Sequence, residues 1–214
     1  MRIVICDYGV GNLFSIEGAF ARLGTSIEKI CNADDIEDCD LIVLPGVAAF
    51  GDALAEIRHR GFDRAITEHT MAGRAFLGIC LGAQALMLSS DESPGTRGLG
   101  LINGSVDQLP PGPTRVPNQG WMYVDFPSNN DGSENVFFQG LGQYYYFSHS
   151  YWMKTIKAGA VIATAATSTP FVIPAVIREG PILGTQFHPE RSGDAGLAFL
   201  HATLQWAKSL SSSV

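Results

Sequence analysis

The chain has 214 residues, 46% hydrophobic and 16% charged, a balance that fits one sizeable folded α/β domain over 1–214 and excludes a disordered chain. Its formal net charge is -7 and no block of Lys or Arg occurs, which argues against nucleic-acid or anionic-membrane partners. No apolar stretch reaches transmembrane length, no signal-peptide pattern opens the chain, and Cys6, Cys31, Cys39 and Cys80 lack CxxC or CxxH spacing, so reduced thiols in the cytoplasm are expected, with no sign of a metal or organic cofactor.

Residues 2–7 read as a first strand. Asn12 to Leu23 reads as a helix, with Ile16, Ala19, Phe20 and Leu23 at helical spacing and Gly24 ending it. Asp40-Leu41-Ile42-Val43-Leu44 is a buried strand stopped by Pro45-Gly46. Helices are expected from about Phe50 to Arg60 and Phe62 to Ala72, followed by a strand over 75–79 and a helix-forming run from Ala83 to Leu88. Such alternation predicts a doubly wound, mostly parallel sheet.

From about Pro110 the character changes. Pro110-Pro111-Gly112-Pro113, Pro127 to Gly132 and Gly140-Leu141-Gly142 are loop signals. Between them lie β-rich pieces at Val136–Phe138, Tyr145–Phe147, Ala160–Ala163 and Val172–Ile173, which predict added antiparallel strands or a small second sheet. Pro181-Ile182-Leu183 is another apolar strand. Residues 193–208 close the chain as a helix with Leu197, Leu200, Leu204 and Ala207 on one face, and the Ser-rich tail is expected to fray.

The chemistry-bearing segment is Gly78-Ile79-Cys80-Leu81-Gly82. A cysteine at a strand-to-helix turn, flanked by glycines, reads as a nucleophile elbow, and the start of a helix beside it favours thiolate. Downstream, His188-Pro189-Glu190 supplies a candidate general base and a candidate orienter. In extended chain, residues two apart point to one face, and Pro189 biases His188 toward that conformation. A cysteine, a histidine and a carboxylate in line are what thioester chemistry needs. The remaining polar residues have plainer readings: Cys6, Cys31 and Cys39 as small buried hydrophobes, and His59, His69 and His201 as surface or interface groups. The His149 ring reads as structural, bonded to backbone, rather than as a proton carrier. Gly9-Val10-Gly11 lacks the spacing of a dinucleotide loop.

Three sets of residues go further: Asp7-Tyr8-Gly9-Val10-Gly11-Asn12-Leu13, Leu44-Pro45-Gly46-Val47 with Phe50-Gly51-Asp52, and the Cys80 elbow with Gln84. Val116-Pro117 with Gly120-Trp121, Tyr146 to Tyr151, and Thr185 to Glu190 with Ser192-Gly193 complete the pattern. Together they resemble the class I (triad-type) glutamine amidotransferases, most closely the glutaminase subunits of imidazole glycerol phosphate synthase, over essentially the whole chain. The resemblance implies hydrolysis of glutamine through a Cys80 thioester, with His188 as base and Glu190 orienting it. It implies backbone N–H groups of Val47 and Leu81 as the oxyanion hole, and Gly46, Gln84 and His149 around the substrate. It also implies a heterodimer with a (β/α)₈ cyclase that receives the ammonia, faced by Asn12, Pro117, Asn118 and Trp121 and within reach of Arg191.

Two departures from that pattern stand out. Ala48 occupies a position where the family has glycine, and the family's Val-Pro-His and Gly-Trp-Asn become Val116-Pro117-Asn118 and Gly120-Trp121-Met122. The second departure keeps open a paralogous glutaminase feeding a sugar-amination or other synthase. A cysteine peptidase on a related scaffold is disfavoured by Gln84 and the Pro45-Gly46-Val47 loop. A non-catalytic interaction subunit is disfavoured by the intact Cys80, His188 and Glu190.

Overall fold

The computed structural model describes residues 1–36, 38–112, 115–127, 136–157, 159–167 and 171–211. Pro113, the 128–132 part of the expected loop and the 212–214 tail lie outside the described residues. In chain order the elements are β1 (Ile3–Cys6), α1 (Leu13–Arg22), β2 (Glu28–Ile30), β3 (Leu41–Leu44), α2 (Phe50–His59), α3 (Phe62–Met71), β4 (Ala75–Ile79) and α4 (Leu81–Gln84). There follow β5 (Ser89–Ser90), β6 (Gly104–Gln108), β7 (Asn118–Asp125), β8 (Gln143–His149), β9 (Tyr151–Thr155), β10 (Val161–Ala166), β11 (Val172–Glu179), β12 (Ile182–Thr185) and α5 (Gly193–Ser211).

The main sheet runs β2-β1-β3-β4-β12-β11-β10-β7-β8. Strands β2, β1, β3, β4 and β12 are parallel, and β11, β10, β7 and β8 extend the sheet antiparallel. A second, smaller sheet pairs β5, β6 and β9. The antiparallel addition expected after Pro110 is present, whereas the second sheet takes only β9 from that half and draws β5 and β6 from residues 89–108, where no strand was expected.

Period-two alternation sorts the core. Ile3 and Ile5 of β1 join Leu41 and Val43 of β3 under α1 and α5, where Ile16, Phe20, Phe199 and Leu200 are buried. Val4 and Cys6, with Ile42 and Leu44, face the opposite side under α2 and α3, against Phe50, Leu54, Ile57, Phe62 and Ile66. Helices thus cover both faces, the doubly wound arrangement. Asn12 caps α1, its Oδ1 accepting from the Ser15 N–H at 3.3 Å.

The structure corrects four local expectations. The helix after Cys80 stops at Gln84 instead of continuing to Leu88, because the carbonyls of Ala85, Leu86 and Met87 accept from the N–H groups of Leu99, Ile102 and Gly100 on a returning loop rather than from a next helical turn. Val136–Phe138 forms a 3₁₀ turn, not a strand, with Phe138 buried against Phe199 and Trp206. Cys31 is exposed. His69 is buried at 3% exposure with Nε2 2.8 Å from the Ala75 carbonyl, and burial pushes its pKa down to about 4.

Candidate active site

Strands β4 and β12 pair in parallel with Gly78 opposite Gly184 and Ile79 opposite Thr185. Their adjacent C-terminal ends deliver Cys80 and the His-Pro-Glu segment to one rim of the sheet, where sites of open α/β folds collect. The Cys80 N–H continues the ladder, donating to the Thr185 carbonyl at 2.7 Å. Cys80 itself takes φ 52 and ψ -107. A non-glycine residue there carries strain of about 1–3 kcal/mol, held by the packing around it. The flanking glycines make that packing possible. A Cβ on Gly82 would strike the Leu44 carbonyl, and one on Gly78 would lie 2.6 Å from the Gly82 carbonyl oxygen.

His188 is extended, φ -101 and ψ 96, as the following proline favours. Glu190 lies in the 3₁₀ turn Pro189–Arg191 rather than in extended chain, and that turn brings its Oε1 to 2.9 Å from His188 Nδ1. Ser192 fastens the turn, donating to the His188 carbonyl at 2.6 Å and accepting from the Tyr146 N–H at 2.9 Å. Burial opposes charge on His188, but hydrogen bonding to the Cys80 sulfur and to Glu190, with their negative charge, outweighs it and raises its pKa to about 10. His149 is opposite in character. Burial pushes it down to about 4, aided by the nearby His188 charge and resisted by the bond to the Tyr151 carbonyl.

A cavity of ≈ 270 Å³ opens over Cys80 and His188. Val47, Ala48, Leu81, Gln84, Glu92, Pro117, His149 and Arg191 are among its lining residues. Gly46 lies just beneath, where a Cβ would meet the Tyr8 hydroxyl at 2.6 Å and Leu81 Cβ at 2.8 Å. Glu190 is behind His188, and its side chain is 3% exposed.

Of the residues expected to face a partner, Trp121 is 55% exposed and edge-on to Tyr146, over whose ring the Arg191 guanidinium sits at 4.1 Å. Asn12 and Pro117 are exposed. Asn118 is not: it is 9% exposed, and its Nδ2 lies 2.9 Å from His149 Nε2. It opens β7 on the inward side of the pleat, so its neighbour in space is the cavity wall.

Sequence reading gave no role to four residues that the fold brings here, although Tyr8, Gln186 and Ser192 stand within the motifs already quoted. Gln186 donates from Nε2 to Cys80 Sγ at 3.8 Å. Glu92 lines the cavity and accepts the Phe50 N–H at 2.9 Å, capping α2 from a distant loop. The Tyr8 hydroxyl donates to the Pro45 carbonyl at 2.5 Å, bracing the loop that carries Val47. Ser192 ties the His-Pro-Glu turn to β8. Gln186 and Ser192 flank the His-Pro-Glu motif, which was the available clue; nothing local marked Glu92.

A family model for class-I glutamine amidotransferases matches residues 4–203. The chain is 38% identical over 212 residues to imidazole glycerol phosphate synthase subunit HisH of Listeria monocytogenes, covering 99% of each protein. It is 40% identical over 201 residues to the HisH subunit of Methanothermobacter thermautotrophicus, covering 92% of this chain and 95% of that relative. Among solved structures it is similar to a glutamine amidotransferase, with TM-score 0.76 and 20% identity over 96% of this chain and 99% of that one. It is also similar to PurLQS from Thermotoga maritima, with TM-score 0.72 at the same identity and coverage. At that identity the structural likeness establishes the fold, whereas the match over nearly the whole sequence establishes kinship: this chain belongs to the class-I glutamine amidotransferase family.

Proposed function

We propose that this chain is the glutaminase subunit of an imidazole glycerol phosphate synthase, hydrolysing glutamine to glutamate and ammonia and passing the ammonia to a (β/α)₈ cyclase in a heterodimer for histidine biosynthesis. The observation that carries the reading is the strained Cys80 turn beside a His188 ring held by Glu190 over one cavity. Near-complete coverage of the HisH relatives supports the choice of pathway over a paralogous synthase.

In this reading the Cys80 thiolate attacks the side-chain amide carbon, and the N–H groups of Leu81 and Val47 receive the oxyanion. His188, protonated, gives its proton to the departing nitrogen, and ammonia leaves. The neutral ring then takes a proton from water, whose oxygen attacks the thioester. Collapse of the second oxyanion releases glutamate and returns the proton to the Cys80–His188 pair. Glu190 stabilises the imidazolium and fixes the tautomer. Glu92 provides negative charge for the substrate ammonium, and Gln84 and the His149 wall confine the amide. Trp121, Tyr146 and Arg191 form the aromatic and cationic face offered to the cyclase. Reduced, unpaired cysteines fit a cytoplasmic setting.

The test is glutamate release from glutamine by the purified chain, with and without a histidine-pathway cyclase and its ligand, beside C80A. Activity that rises with the cyclase and disappears in C80A supports the reading. Cys80-dependent activity that ignores that cyclase moves the chain to another synthase.

A further inference from the structure

A run of buried polar contacts connects the first residue of β7 to the nucleophile. Asn118 Nδ2 lies 2.9 Å from His149 Nε2, and His149 Nδ1 lies 2.8 Å from the Tyr151 carbonyl oxygen. Gln84 Nε2 donates to that same carbonyl at 2.9 Å and to Gln186 Oε1 at 3.3 Å. Gln186 Nε2 then donates to Cys80 Sγ at 3.8 Å.

Every link has one sense. A backbone carbonyl only accepts, so His149 carries its hydrogen on Nδ1 and Gln84 presents its NH₂. With one N–H, the neutral His149 ring must accept at Nε2, so Asn118 must present Nδ2. The other close neighbour of Nδ2 is Met122 Sδ at 3.2 Å, which is also an acceptor. Two independent neighbours therefore demand the same amide orientation. The Gln84 amide is tied at Tyr151, and it sets the Gln186 amide in turn. None of Asn118, His149, Gln84 and Gln186 is more than 9% exposed, so water does little to replace a lost link.

We propose that Asn118 is a positioning residue for the glutamine pocket: its donation to His149 holds the ring in the Nδ1–H tautomer, which anchors the Tyr151 carbonyl and through it the Gln84 amide beside the substrate. This rests on the glutaminase reading above. Asn118 touches neither the reacting atoms nor, across His149, the substrate. A merely structural Asn118 would affect stability and leave substrate affinity alone.

The test combines kinetics with ring-nitrogen NMR. Asn118→Leu keeps the branching and the number of side-chain heavy atoms and removes the donor. It should raise KM for glutamine about tenfold, the loss of one buried hydrogen bond, with kcat within about threefold of wild type. In a Gln84→Ala background the same change should add little further, because the path runs through Gln84. ¹⁵N spectra should show wild-type His149 protonated at Nδ1 and bare at Nε2, and Asn118→Asp should protonate Nε2. An unchanged KM, full additivity with Gln84→Ala, or a wild-type ring protonated at Nε2 alone would overturn the proposal. If melting shows that N118L is unfolded, N118A tests the same lost donor. A wild-type chain without glutaminase activity would sink the glutaminase reading instead, while the NMR result still decides the tautomer.

Discussion

His188 Nδ1 and Glu190 Oε1 stand 2.9 Å apart with side chains 4% and 3% exposed. The other carboxylate oxygen, Oε2, has no hydrogen-bond partner among the described residues. The charge of Glu190 is therefore directed at one imidazole in a nearly dry setting, where an ion pair is screened little.

Together with the hydrogen bond between His188 and the Cys80 sulfur, this pair makes folding pH-dependent. His188 holds its proton more tightly folded, to about 10, than at its ordinary value of 6.5. Its contribution to stability is complete below about pH 6.5 and fades as the pH climbs through about 10. Thermal melting should show wild type losing stability across that window. Glu190→Gln should flatten the curve and lower glutaminase kcat by roughly 10²–10⁴. Parallel melting curves for the two proteins would refute the assignment.

Ala48 bears on the loop proposed to supply the oxyanion hole. Val47 is 62% exposed at the cavity mouth, and the next residue is alanine where glycine would turn the peptide freely. Ala48→Gly should raise basal glutaminase activity several-fold and so change the ratio of basal to cyclase-stimulated rates; losing one oxyanion donor is worth about 10²–10³ in rate, which sets the range. The measurement is that ratio, and an unchanged value removes Ala48 from the account.

Tyr8 braces the same loop from below. Its ring is 1% exposed and its hydroxyl donates to the Pro45 carbonyl. Tyr8→Phe leaves a buried carbonyl without its partner and should cost about 1–2 kcal/mol in urea unfolding. It should also lower kcat, because the loop carrying Val47 loosens. Full activity with reduced stability would confine Tyr8 to a packing role.

The elbow glycines can be tested against a control. Gly82→Ala would press a methyl into the Leu44 carbonyl and should cost about 3 kcal/mol or more, or prevent folding. Gly18→Ala, in α1 with open space around the site, should stabilise by about 0.5–1 kcal/mol. Denaturant midpoints moving in the same direction would contradict the packing described.

The Cys80 turn was legible because its causes are local: an apolar strand, two glycines and a helix start. His188 and Glu190 were legible for the same reason, although a 3₁₀ turn, not an extended strand, aligns them. The length of α4 was not legible. Residues 85–88 have good helix formers, but their carbonyls are claimed by a loop ten or more residues away. His69 looked like a surface histidine on a polar helix, and its contacts with the Ala75 carbonyl of β4 and the Cys39 sulfur show that it is inside.

By itself the sequence determined the alternating α/β plan, the strained Cys80 turn and the paired His188 and Glu190, since each depends on chain stiffness, glycine freedom and hydrophobic period over a few residues. Tertiary structure alone decided that Gln186 meets the Cys80 sulfur, that Glu92 reaches the cavity and that Asn118 turns inward to His149 instead of outward. Glu92 enters on the loop after β5, which pairs with β6. The Gln186 and Asn118 contacts join residues tens to a hundred positions apart, and they exist because parallel pairing of β4 with β12, and antiparallel pairing of β7 with β8, fixes one register. A shift of one residue in either pairing would send the same side chains to the opposite face of the sheet.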